Sequence, residues 1–282
     1  MNDSPRNLLL RLAYDGTDFF GWQVQPHRPT IQGTLEEALG KLCGEPVAVC
    51  GAGRTDAGVH AAAQAASVRI HSPIPCPNLL QALNRVLPES IRLLSACEVD
   101  TDFHARHQAR SKVYRYRIFR AAPCPPTLCR YVYPFPYPLN EAAMQEAASG
   151  FAGTHDFRSF ASSDGEERPG EGAFVRTIFS SRLERREEEL QYTVEGSGFL
   201  HHMVRNIEGT LLDVGRERTP APAIPKILAA RRRSAAGPTA PARGLHLLRV
   251  VYPGDPPLSS PFMGTFSPDT LDSAADPGTI DR

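Results

Sequence analysis

The chain has 282 residues and a net charge of zero, with 41% hydrophobic and 22% charged residues, as is typical of a globular protein with one large or two ordinary domains. No apolar run approaches the roughly 20 residues that cross a bilayer, and the first residues lack the layout of a secretory signal. We therefore expect a cytoplasmic protein without a membrane partner and, since no Cys-x-x-Cys pair occurs, without a structural zinc site.

The first part of the chain alternates strand and helix patterns. Apolar residues recur at helical spacing from Ile31 onward, and Pro88 ends a second helical pattern. The predicted elements are a strand over 7–14, a helix over 31–42, strands over 46–50 and 66–70, a helix over 78–86 and a strand over 91–99. This order is that of a split βαβ unit with a largely antiparallel sheet.

A second unit begins near Ser111, where Val113–Phe119 alternates in the manner of a strand. The proline-rich stretch 123–138 predicts no regular element. The remaining predictions are a helix over 141–151, strands over 176–185 and 189–195, a helix after Gly198, a shorter helix over 224–231 and a final strand over 245–252.

These patterns predict an α+β fold in which two ferredoxin-like (split βαβ) halves share a mostly antiparallel sheet, with the helices on one face. We expect an N-terminal domain over 1–107, a C-terminal domain over 108–253, and an acidic, disordered tail over 254–282. The acid-rich stretch 165–172 predicts a surface loop.

The zero net charge hides an uneven distribution. Residues 253–282 hold five Asp and one Arg, whereas the stretches 103–140 and 218–254 each contain seven Lys or Arg and no acid. Basic stretches of this kind indicate a nucleic-acid contact surface. Ordinary solvated surface charge is the alternative for either stretch alone.

A glycine-rich loop, Gly51-Ala-Gly-Arg-Thr-Asp-Ala-Gly-Val-His-Ala61, lies between two predicted strands. Its glycines let a ligand approach the backbone closely. Asp56 is a candidate nucleophile or base, with an ordinary turn residue as the alternative. Arg54 could bind a phosphate or take the place of an extruded base, and otherwise is a surface arginine.

Two tyrosines lie within the basic stretch 103–140, in the segment Ser111-Lys-Val-Tyr-Arg-Tyr116. Strand alternation places Tyr114 and Tyr116 on one face of the sheet. An aromatic ring on a sheet face can stack on an exposed base, worth about 1–3 kcal/mol. For Tyr116 a core position is the favoured interpretation.

The segment 199–209 predicts a helix whose buried stripe is formed by Met203, Ile207, Leu211 and Val214. Arg205 points away from that stripe, and His201 shares its face one turn earlier. Such an arginine could pair with Asp56 and keep it ionised. The adjacent His201 and His202 suggest a metal site, but they have no ligand spacing of the His-Glu-x-x-His kind, so metal binding is the weaker hypothesis.

The sequence resembles the TruA-type tRNA pseudouridine synthases. The resemblance rests on ordered segments that span roughly residues 7–253: Tyr14–Gln23, Gly53–Ala61, Phe103–Arg106, Tyr114–Tyr116, Phe199–Asn206 and Pro241–Pro253.

The resemblance implies roles for particular residues. Asp56 matches the catalytic aspartate, Arg205 its basic partner, Arg54 the arginine that assists nucleotide extrusion, and Tyr114 the tyrosine that stacks on the target uracil. We also predict that His201, His202 and Arg106, which lie within the matched segments, bind substrate.

The resemblance further implies isomerisation of uridines 38–40 in the tRNA anticodon stem-loop, by a homodimer that uses neither a metal nor an organic cofactor. Asp56 would attack ribose C1′, attack uracil C6 or abstract a ribose proton, and the sequence leaves these routes open. A non-catalytic RNA-binding module is the alternative function, and a metal-dependent hydrolase that uses His201 and His202 comes third.

Overall fold

The structure, a computed structural model, describes residues 5–162 and 172–255 of the chain. The predicted tail over 254–282 and the predicted loop over 165–172 therefore lie almost entirely outside the described residues. The residues that are described form ten β-strands and five α-helices, together with short 3-10 turns.

The strands are β1 (Arg6–Tyr14), β2 (Val49–Gly51), β3 (His60–Ile70), β4 (Ile91–Val99), β5 (Ser111–Phe119), β6 (Tyr133–Pro134), β7 (Gly153–Asp156), β8 (Val175–Arg186), β9 (Glu189–Gly196) and β10 (Leu245–Val251). The helices are α1 (Ile31–Cys43), α2 (Cys76–Val86), α3 (Glu141–Ser149), α4 (Met203–Gly215) and α5 (Ile224–Ala230).

All ten strands belong to one sheet, in the order β4-β1-β3-β10-β5-β9-β8-β7, while β2 pairs with β3 and β6 with β5. Within each half the principal strands follow the same order: fourth, first, third, second. Every pairing is antiparallel except β10 with β3 and β5 with β6. The predicted α+β fold with two split βαβ halves and a mostly antiparallel sheet is confirmed.

The two halves meet where β10 runs parallel to the beginning of β3. His246 lies opposite His60 and Leu247 opposite Ala61, and on the other side of β10 the same Leu247 lies opposite Tyr114 of β5. Neighbouring strands are about 4.8 Å apart, so Tyr114 and Ala61 lie roughly 10 Å apart across the sheet. The row formed by Ala61, Leu247 and Tyr114 therefore connects the strand that follows the glycine-rich loop to the second half of the chain.

The helices bury apolar stripes against the sheet. In α1 the buried positions include Ile31, Leu35 and Leu39, which recur at the helical spacing that predicted this element. The Thr30 side chain accepts a hydrogen bond from the Gly33 amide at the N-terminus of α1, and Gly44 ends the helix with a φ of 73°. These local signals explain why the predicted bounds agree with the observed ones.

Several predicted boundaries were wrong. Strand β3 begins at His60 rather than near Ala66, because pairing with β1 overrides the low strand propensity of an alanine-rich segment. The proline-rich stretch does contain a strand, β6, and β7 was not predicted. Both are short, which leaves little alternation to detect.

The helix predicted after Gly198 also needed correction. Helix α4 begins at Met203, so His201 and His202 precede it instead of lying on its first turn. Its burial extends well beyond the predicted stripe, since Val204, Asn206 and Glu208 are also buried. A helix covered on nearly all sides leaves no clear polar face from which its bounds could be inferred.

Glu208 is the least expected residue in this buried helix. It is fully buried, and neither carboxyl oxygen has a hydrogen-bond partner among residues 5–162 and 172–255. Burial raises the pKa of Glu208 from 4.5 to about 8, which favours the protonated form at neutral pH. Folding therefore requires this group to bind a proton over a range of pH where the unfolded chain does not.

We predict that Glu208 makes the protein less stable as the pH rises. Its folded-state pKa of about 8 lies above the unfolded value of 4.5, so its contribution is fully present below pH 4.5 and is lost as pH rises through about 8. In that window the free energy of unfolding should fall by about 1.4 kcal/mol per pH unit because of this group. Glu208→Gln should remove that dependence in urea denaturation series.

An exposed control keeps this prediction specific. Glu146→Gln makes the same chemical change on the solvent side of α3. It should retain the pH dependence of the parent protein. Equal slopes for Glu208→Gln and the parent would show that Glu208 is not the titrating group.

Candidate active site

The glycine-rich loop occupies residues 52–59, between β2 and β3, and neighbouring backbone and side chains hold it. The Thr55 hydroxyl lies 2.8 Å from the Tyr14 hydroxyl, and the Thr55 carbonyl accepts a hydrogen bond from the Trp22 amide at 3.0 Å. Gln64 of β3 donates to the Gly53 carbonyl at 3.0 Å. These contacts fix the backbone on both sides of Asp56.

Close backbone approach at Gly21 is part of this support. Gly21 has a φ of +84°, and a Cβ at this position would lie 2.6 Å from the Thr55 carbonyl oxygen. A glycine is therefore needed both for the left-handed conformation and for the space. The segment before α1 consequently packs directly on the loop that carries Asp56.

Asp56 is surrounded by side chains that can carry positive charge. Arg205 Nη1 donates to Asp56 Oδ2 at 2.9 Å, and His202 Nε2 lies 3.5 Å from the same oxygen. His201 Nε2 lies 3.6 Å from Oδ1. The Asp56 side chain retains 19% of its exposure, so it is sheltered but open to a ligand.

These partners are themselves held in place. Arg205 Nε donates to the Ala240 carbonyl at 2.8 Å, which directs Nη1 toward Asp56. His202 adopts a left-handed backbone with a φ of 57° immediately before α4, and its Nδ1 lies 2.8 Å from the Ser162 hydroxyl. The two imidazole rings lie with their centroids 3.7 Å apart. The sequence-predicted pairing of Asp56 with Arg205 thus exists, although His201 reaches Asp56 from outside the helix.

Tyr114 forms an aromatic wall beside this cluster. Its ring packs edge-to-face on Phe199, with centroids 5.0 Å apart and planes at 81°. Burial raises the pKa of the Tyr114 hydroxyl well above its usual range, which keeps the phenol neutral. Tyr116 is fully buried and donates to the Pro241 carbonyl at 2.8 Å, as the favoured core interpretation predicted.

These side chains line a cavity of about 490 Å³. All seven site residues predicted from the sequence line it: Arg54, Asp56, Arg106, Tyr114, His201, His202 and Arg205. Arg54 and Arg106 are exposed, whereas Tyr114 is 6% exposed. The cavity therefore has a basic, solvated opening and an apolar, aromatic interior.

Lys112 and Phe199 also line this cavity, and the sequence interpretation gave neither of them a role in the site. Lys112 lies on β5 two residues before Tyr114, and strand alternation places both on the same face. That alternation was visible in the sequence. The packing of Phe199 on Tyr114 joins residues far apart in the chain and had no local signal.

The metal hypothesis changes with the geometry. Asp56, His201 and His202 offer three ligand-type atoms within 4.8 Å of one another, an arrangement that sequence spacing did not indicate. One carboxylate and two imidazoles suit a transition metal. A cation there would compete with the Arg205 guanidinium, which is already 2.9 Å from Asp56 Oδ2, so metal binding remains the weaker interpretation.

The fold and the site together define the general class. A carboxylate held by a guanidinium, beside a buried aromatic ring and below a basic opening, is suited to chemistry on a large anionic substrate. The model of the tRNA pseudouridine synthase family matches residues 12–108 and 147–253.

Individual relatives agree with the family model. The chain is 53% identical over 247 residues to tRNA pseudouridine synthase A of Solibacter usitatus, covering 88% of this chain and 100% of that protein. It is 46% identical over 248 residues to the protein of that name in Moorella thermoacetica, covering 87% and 99%. The protein of that name in Acetivibrio thermocellus is 45% identical over 248 residues, with 88% and 100% covered. The chain belongs to the tRNA pseudouridine synthase family, of the TruA type.

Across residues 5–162 and 172–255, the helices are too short or too polar to cross a bilayer.

We predict that Gly21→Ala destabilises the protein by displacing the Asp56 loop. The new methyl group would meet the Thr55 carbonyl at 2.6 Å, in addition to the strain of a positive φ. A loss of about 2–4 kcal/mol in the free energy of unfolding is expected, measured by chemical denaturation.

Gly44→Ala is the matched control for this substitution. Gly44 also has a positive φ, 73°, but no atom lies within 4 Å of the added Cβ. Gly44→Ala should lower the free energy of unfolding only by the cost of a positive φ for alanine, about 1 kcal/mol. Equal losses for the two variants would contradict the proposed role of close approach at Gly21.

Proposed function

We propose that this protein isomerises uridine to pseudouridine at positions 38–40 of the tRNA anticodon stem-loop, with Asp56 as the nucleophile. The observation that carries the proposal is the 2.9 Å pair between Asp56 and Arg205 inside a cavity lined by Tyr114. Membership of a family of isomerases that act on tRNA supports the reaction class.

The geometry gives each oxygen of Asp56 a different surrounding. Oδ2 accepts a charge-assisted hydrogen bond from Arg205, which fixes the orientation of the carboxylate. Oδ1 is not engaged by that guanidinium and lies toward His201. We assign Oδ1 as the atom that reacts and Arg205 as the group that positions it.

The reaction breaks the bond between uracil N1 and ribose C1′, rotates the base, and forms a bond from C5 to C1′. The C5 proton is then released to solvent and N1, no longer bonded to ribose, takes up a proton, so the product is an isomer of the substrate. Attack on C1′, attack on C6 and abstraction of a ribose proton all require a carboxylate in a sheltered cavity. Buried Tyr114 and partly buried Phe199 supply the apolar wall that shelters it.

A uridine in an RNA stem must leave the stack before it can reach Asp56. We assign Tyr114 as the ring against which the extruded uracil packs, and exposed Arg54 as the residue that assists extrusion. Arg106, His201 and His202 line the same cavity and are assigned to substrate binding. No metal or organic cofactor is part of this proposal.

The alternative is an RNA-binding module without catalysis. Such a module would use the same basic opening, but a carboxylate at the centre of its cavity would repel RNA phosphates. The support that Arg205 and Ala240 give to Asp56 has no purpose in that alternative. We therefore favour the isomerase.

We predict that Asp56→Asn and Asp56→Ala abolish isomerisation, lowering the rate by about a thousandfold or more. Tritium release from tRNA labelled at uracil C5 measures the reaction directly. The Kd for tRNA should stay nearly unchanged or decrease, because a negative charge is removed.

The exposed Asp102→Asn substitution is the control, since it makes the same chemical change in the turn after β4. It should leave the rate of tritium release at the parent value. Isomerisation that survives in Asp56→Ala would end the proposed mechanism.

We also propose a homodimer in the cytoplasm, with the chain divided into domains 1–107 and 108–253. These proposals rest on the family resemblance and on the sequence patterns. Light scattering on the full chain should give about twice the monomer mass of 30.8 kDa. A mass of one chain at micromolar concentration would exclude the homodimer.

A further inference from the structure

Lys112 lies next to the loop that carries Asp56, although nothing above assigns it a role. It faces the same side of β5 as Tyr114 and lines the same cavity. A Cβ built at Gly53 would lie 3.3 Å from Lys112 Nζ, so the ammonium group lies close to the glycine-rich loop.

Lys112 is partly buried, and no anion from the described part of the chain lies beside its ammonium group. Within the described ranges it has neither a hydrogen bond nor an ion pair. Burial, followed by the positive charges of Arg106 and Arg176, lowers the pKa of Lys112 from 10.5 to about 8. A protein rarely keeps a sheltered ammonium among like charges unless an anion joins it.

Arg176 approaches from the second half of the chain and is held in position. Its Nη1 donates to the Ala173 carbonyl at 3.0 Å and to the Val175 carbonyl at 2.7 Å. Its Cδ and Nε lie 3.7 Å from a Cβ built at Gly198. Arg106 approaches from the segment after β4 and lines the cavity. Three cations from three segments thus converge near one place.

We infer that Lys112, Arg106 and Arg176 form a subsite for one phosphate group of the RNA backbone, next to the Asp56 site. This inference rests on the proposed function, because it takes RNA as the ligand. Three convergent donors, for which the described residues supply no carboxylate partner, match the charge and the acceptor-rich surface of a phosphate.

The position of the subsite suits a nucleotide bound at Asp56. Lys112 and Tyr114 are separated by one strand repeat, about 7 Å along β5. A uracil that packs on Tyr114 has its ribose between the base and the backbone phosphate. The phosphate of the extruded nucleotide, or of its neighbour, therefore comes within reach of Lys112 while C1′ lies near Asp56.

The first test is the salt dependence of tRNA binding. Lys112→Met should weaken binding about tenfold at moderate salt and reduce the slope of log Kd against log salt by about one, as expected for one lost phosphate contact. Lys112→Arg should retain most of the affinity. Lys41→Met is the control, because Lys41 is exposed on α1 and paired with Glu37. An unchanged slope in Lys112→Met would overturn the subsite.

A neutral backbone linkage tests the contact directly. Anticodon stem-loop RNAs that carry one methylphosphonate, placed in turn at each linkage around the target uridine, lack one negative charge each. In the parent protein one placement should weaken binding about tenfold, and in Lys112→Met the same placement should add little further loss. Additive losses at every placement would show that Lys112 contacts no single phosphate.

Stability separates ligand binding from a structural role. Removing a sheltered, unpaired ammonium should leave the melting temperature of the free protein equal or higher. A structural lysine would instead lower it in Lys112→Met. A clear loss of melting temperature together with an unchanged salt slope would refute the inference.

The binding readouts do not require catalysis, so the two proposals fail separately. If the parent protein binds the stem-loop and shows the Lys112 effects but releases no tritium, the proposed isomerisation fails and the subsite stands. If tritium is released normally and the methylphosphonate losses are additive, the isomerisation stands and the subsite fails.

Discussion

The parallel pairing of β10 with β3 is the constraint on which the site depends. The pairing is short, two rows of residues, yet it joins the last strand of the chain to the strand that begins immediately after the glycine-rich loop. Leu247 then lies between Ala61 and Tyr114, so the loop faces the second half of the sheet. This junction allows Arg205 to reach Asp56, although the two residues are 149 positions apart in the sequence.

Much of this arrangement was predictable, because its local signals are strong. Alternation in Val113–Phe119 predicted β5, and helical spacing predicted α1 close to its observed bounds. Other features depend on tertiary contacts that overrule local preference. The alanines of 61–66 favour helix in isolation, yet they form the strand β3 because β1 pairs along them. Because β3 was predicted to begin near Ala66, the end of the glycine-rich loop at Val59 was not predicted.

The site itself was partly predictable for the same reason. Helix geometry indicated that Arg205 points away from the buried stripe and could pair with Asp56, but His201 reaches the carboxylate from the non-helical segment before α4. The isolation of Lys112 could not be predicted, because it depends on which groups from three other segments approach it. Sequence patterns indicate what a residue faces, whereas the balance of charge around it is a property of the folded chain.

The balance of charge distinguishes the two ends of the cavity. At one end the negative charge of Asp56 is compensated by Arg205 at 2.9 Å, and two imidazole nitrogens lie within 3.6 Å of the carboxylate. At the other end the Lys112 ammonium lies near the like charges of Arg106 and Arg176, and no anion among the described residues offsets them. A polyanion is therefore repelled weakly by the carboxylate and attracted strongly to the ammonium. This asymmetry would orient a bound nucleotide, with its phosphate toward Lys112 and its sugar toward Asp56, before any bond is broken.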